Sequence, residues 1–143
     1  MKGPNQNIHT FYMILKFVLL LVSIQLYVLT AFGQKPTCKS LHTGSFKVTT
    51  QDAGTTYIKR TKTEQHEKNS DLGYEIIFSV KWINDCTYEL RPKKLIKGDP
   101  SIMGDGTNVV KTKIKDIADK SYVAETTANF SAVKMDFTVE IVN

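Results

Sequence analysis

The sequence predicts an all-β protein: an antiparallel, up-and-down meander of about eight strands, a barrel or strongly curled sheet, preceded by an N-terminal signal helix. Three observations lead there. Large apolar residues alternate with polar ones over most of the chain after residue 33, turn-forming residues separate those runs, and no segment in that region carries the one-sided apolar stripe of a helix. Closure is the economical arrangement because it removes exposed sheet edges, with an open sandwich as the alternative.

The first element is the uncharged stretch Phe17 to Phe32, flanked by Lys16 and followed by Gly33. A basic flank, an apolar run and small residues before the cut are the parts of an export signal. Ala31-Phe32-Gly33 supplies the small residues, and cleavage after Gly33 leaves Gln34 as the new N-terminus. Lys2 to Tyr12 is long and polar for the basic region, so Met13-Ile14-Leu15-Lys16 is the better start. A membrane anchor is the competing reading, but it needs about 20 apolar residues. A lipoprotein acylated at Cys38 would need small apolar residues before it, where Lys35-Pro36-Thr37 stands. The expected organisation is therefore a signal peptide over 1–33 and a single β-domain over 34–143, exported to a periplasm or secreted. Contact with a membrane is expected only through an uncleaved signal.

Strands follow in order. Phe46, Val48 and Thr50 share one face of the first, and Thr56, Ile58 and Arg60 one face of the second. Tyr74, Ile76, Phe78, Val80 and Trp82 are five large side chains on one face, opposed by the mixed set Glu75, Ile77, Ser79, Lys81 and Ile83. Cys86, Tyr88 and Leu90 point inward on the next strand. Val110, Thr112 and Ile114 then alternate with Lys111, Lys113 and Lys115, and Val133, Met135, Phe137, Val139 and Ile141 with Lys134, Asp136, Thr138 and Glu140. Turns are expected at Asp52 to Gly54, Lys68 to Gly73, Asn84-Asp85, Gly98 to Thr107, Asp119-Lys120 and Asn129 to Ser131.

The exported part is one domain, large enough for one modest core. Of the 19 Lys and Arg in the chain, Lys2 and Lys16 leave with the signal, against 14 Asp and Glu that stay. The remaining excess of positive charge is mild and is carried almost wholly by lysine, whereas phosphate and base recognition favours the arginine fork. Nucleic acid is not an expected partner. Cys38 and Cys86 are the only cysteines, and in an oxidising compartment they are expected to pair. Such a bridge closes a loop of about 48 residues and contributes about 4 kcal/mol in the chain-entropy model.

The succession Cys38…Gly44-Ser45-Phe46, Arg60-Thr61…Gln65-His66-Glu67 and Val80-Lys81-Trp82-Ile83-Asn84-Asp85-Cys86-Thr87-Tyr88-Glu89-Leu90 resembles a group of small exported bacterial proteins of unknown function. The resemblance spans nearly all of residues 38 to 142, and Trp82-x-x-x-Cys86-x-Tyr88 is its most specific part. Members of that group sometimes carry the transferred label of a DNA topoisomerase IV chain; a short exported protein with no strand-passage machinery does not support it. Gly44-Ser45-Phe46 also resembles the Gly-x-Trp opening of lipocalin-like barrels, an analogy of fold and not of function.

Arg60, Gln65 and Glu67 are the polar residues to watch. If the second and third strands turn between Thr61 and Glu64, Arg60 lies across from Gln65 or Glu67, and an inward-facing network of this kind must satisfy all its polar atoms. One reading is a ligand-orienting cluster inside the barrel with Trp82 and Tyr88 as aromatic walls. The plainer reading is a cross-strand ion pair among core aromatics, in a small barrel filled by its own side chains. His42 and His66 stand alone in sequence, so no metal site is expected, and no cofactor is implied. No Gly-x-Ser-x-Gly or Cys/His signature appears, so the protein is expected not to be an enzyme. The row Lys111, Lys113, Lys115 reads as a solvated face or a guarded sheet edge. The expected function is binding of a small apolar ligand or an envelope component. The alternative is a structural or protein-interaction module that uses the lysine row and the Gly98 to Asn108 loop as its surface.

Overall fold

A computed structural model describes residues 35–142, and before them only Met13 and Lys16. The predicted signal peptide over 1–33 and its start near Met13 otherwise fall outside the described residues. Eight antiparallel strands, each hydrogen-bonded to its neighbours in sequence, close on themselves as a barrel. They are β1 (Gly44–Thr50), β2 (Gly54–Arg60), β3 (Glu64–Asn69), β4 (Tyr74–Asn84), β5 (Thr87–Lys97), β6 (Val110–Lys115), β7 (Ser121–Ala128) and β8 (Ser131–Val142). The seam is β1 against β8, from Ser45 opposite Val142 to Val48 opposite Val139.

One end of the barrel is closed. A 3-10 helix, Cys38–His42, begins at a capping box in which Thr37 and Ser40 each bond the other's backbone, and it delivers the buried Leu41 beneath the strands. The Cys38–Cys86 disulfide, with Cα atoms 4.9 Å apart, ties this helix to the β4–β5 turn. The core above it gathers Phe46, Ile58, Val80, Leu90, Ile114 and Val139, which are the inward positions that alternation assigns. At the other end Gly54 has φ +67°, and a side chain there would run into the Asp71 carboxylate, which accepts a hydrogen bond from the Thr55 N–H at 3.3 Å. The β1–β2 and β3–β4 turns are thus held together at the open end.

The structure departs from the sequence reading in two places and decides a third. Alternation puts Val133 and Met135 inward, but they are 59% and 47% exposed, because β8 outruns β1 and loses its neighbour above Val139. The strand expected to end near Arg91 continues through Pro92 to Lys97. Proline is tolerated because β5 pairs with β6 only from Thr87 to Leu90, and its other ladder with β4 slips in register around Ile77 and Phe78. Of the two readings of the lysine row, the solvated face holds and the guarded edge does not: Lys111 and Lys113 are exposed, β6 is paired on both sides, and Lys115 bonds Glu125 of β7 at 2.7 Å.

Candidate functional site

The β2–β3 turn sets the site. The Thr61 N–H donates to the Glu64 carbonyl at 2.8 Å, and this turn pairs Arg60 with Gln65, as the sequence suggests. Because side chains alternate, the same register brings Glu67 beside Ile58 and Ile76, on the inward face. The third strand therefore turns its polar residues into the barrel.

Arg60 is 3% exposed and donates in four directions. Its Nε bonds Gln65 Oε1 at 2.6 Å, Nη1 the Leu41 carbonyl at 3.1 Å, and Nη2 the hydroxyls of Tyr88 and Tyr122 at 2.8 and 3.3 Å. Its guanidinium also lies over the rings of Phe46 and Tyr88, 4.8 and 4.5 Å from their centroids. Gln65 relays the network, its Nε2 donating to Glu67 Oε1 at 2.5 Å. The expected ion pair is thus replaced by a guanidinium and a carboxyl group joined through an amide. Burial pushes the Glu67 carboxyl above its ordinary value, against the opposing pull of Gln65 and Arg60. It also pushes the Tyr88 and Tyr122 hydroxyls up, so both stay protonated and receive hydrogen bonds from Arg60.

Above this polar floor lies a cavity of about 300 Å³. Its walls are mainly apolar, among them Ile58, Phe78, Leu90, Phe137 and Val139, and Ala53 and Leu72 stand at its mouth. The expectation of a filled interior fails because β6 and β7 turn small residues inward: Thr112, Ala124 and Thr126 leave space that larger side chains would occupy. Arg60, Gln65, Glu67 and Tyr88 all line the cavity.

Trp82 does not line it. The indole stacks on His42 with centroids 3.5 Å apart and contacts Tyr88 at 4.7 Å, below the floor, and its Nε1 is buried with no partner among the described residues. His42 in turn bonds the Asp85 carbonyl at 2.9 Å, so this stack braces the disulfide-linked end. His66 lies elsewhere, against Glu75 at 2.9 Å. Tyr122 belongs to the site but has no cue in sequence beyond its place between two turns. No protein-family model matches this chain, and no curated protein or solved structure is significantly similar to it.

Proposed function

We propose that this protein is an exported, non-catalytic β-barrel domain that binds a small, largely apolar ligand in its central cavity. The observation that carries the reading is the combination of an open, apolar-walled space with a charged network confined to its floor. Ligand sites pair an apolar lining with a few placed polar groups, and at about 300 Å³ the cavity has the size of a small one. The Cys38–Cys86 bridge is consistent with an oxidising compartment. Titration of isotope-labelled protein with octanol is expected to move amide resonances of the cavity-lining residues of β2, β3 and β7 and to saturate. Shifts scattered over the outer surface, or none, would sink the reading.

An interaction role has its own support. Phe130 and Val133, each 59% exposed, and Met135 form an apolar lip on the β7–β8 hairpin. Concentration-dependent sedimentation that disappears in Phe130→Ser would favour it.

A further inference from the structure

The floor distinguishes between classes of head group, given that the cavity binds a ligand as proposed above. Arg60 lines the cavity too, but four hydrogen bonds donated within the protein hold its guanidinium, and only 3% of the residue is exposed. Glu67 is more open and lines the cavity. Its Oε1 accepts from Gln65, while its Oε2 accepts no hydrogen bond among the described residues. The polar atom offered to an incoming molecule is therefore a carboxyl oxygen, and a cationic head beside it favours the ionised carboxylate in a space of low polarity, which an acidic head does not. A hydrogen bond with an ionised donor or acceptor is roughly twice as strong as one between neutral groups. Length is bounded as well, because at about 30 Å³ per water in the liquid the space takes on the order of ten heavy atoms.

We infer that the ligand is a short amphiphile with a primary amine head, its ammonium donating to Glu67 Oε2 and its hydrocarbon tail running along Ile58, Phe78 and Leu90 toward the mouth at Leu72. The amine brings the direct cationic partner that Arg60, one amide removed, does not supply.

Calorimetric titration of the disulfide-bonded protein with octylamine, octanol and octanoate at neutral pH tests this. Octylamine is expected to bind about tenfold more tightly than octanoate, with octanol between them. Glu67→Gln keeps the shape and is expected to bring octylamine and octanoate to within about twofold of each other. Octanoate binding as well as or better than octylamine, or a preference that survives Glu67→Gln, overturns the inference and leaves the cavity reading standing. Binding by none of the three overturns both. Should the variant fail to fold, the ranking in the unaltered protein decides.

Discussion

Removing the Arg60 side chain leaves acceptors without their donor on β3, β5, β7 and the 3-10 helix at once. An orphaned buried acceptor costs about 1–3 kcal/mol, and the tyrosine hydroxyls can partly re-pair with each other. Arg60→Ala is therefore expected to lose about 3 kcal/mol in urea denaturation, and Arg60→Lys about 2 kcal/mol because a lysine cannot fork to the same partners. A loss below about 1 kcal/mol for Arg60→Ala would mean that the network is not structural. Glu67 gives the opposite sign. Its carboxyl is raised in the folded state above the ordinary 4.5, so the folded form holds its proton longer, and stability falls as pH rises from there through the folded value. Glu67→Gln is expected to flatten that limb of a melting-temperature profile and to match or exceed the parent at neutral pH. At this scale the sequence is informative but incomplete. Alternation assigns Arg60, Tyr88 and Trp82 the inward face, yet says nothing of depth along the barrel, and depth is what separates Tyr88 in the floor from Trp82 beneath it.

Strands differ in how legible they are. β1, β4 and β6 carry large apolar residues at alternate positions, so their faces can be read directly. β3 inverts the code by burying Gln65 and Asn69 and facing Glu67 inward, and only the neighbouring turn gives it away. β7 buries Tyr122 and Ala124 beside small polar residues, a pattern too weak in hydrophobicity to stand out, and those small residues are what open the cavity. The upper part of β8 misleads in the other direction, because its apolar side chains pass beyond the strand that would cover them. Outside the barrel Glu125 of β7 accepts from Lys115 of β6 and Lys134 of β8, each at 2.7 Å, joining three strands across their outer faces. Those lysines hold its carboxyl down at about 2, against the ordinary 4.5. A depressed carboxylate contributes stability that is fully present above its unfolded value and is lost as pH falls toward the folded one. Glu125→Gln should therefore lose the steeper acid decline of the parent between pH 4.5 and about 2, followed by circular dichroism. An unchanged acid limb would show that the cluster holds nothing together.

For the molecule as a whole, the disulfide joins the closed-end helix to the β4–β5 turn, 48 positions away in sequence. The chain-entropy model assigns such a loop about 4 kcal/mol, a large share of the roughly 5–15 kcal/mol that holds a domain folded. The double variant Cys38→Ser, Cys86→Ser is expected to lower the unfolding free energy by that amount in urea denaturation, and a stability within error of the parent would refute it. The bridge lies in the first half of the meander, so it can form before the later strands have found their places. The β1–β8 seam is different, since it joins Ser45 to Val142 across nearly the whole domain. Pairings that distant in sequence form slowly, because the loop must be closed before the contacts reward it. The cavity has no lining on the Phe137 and Val139 side until that seam shuts. The space at the centre of the barrel is consequently a product of the last pairing to form: a molecule bound there as proposed would hold shut the one ladder that the order of the chain leaves until the end.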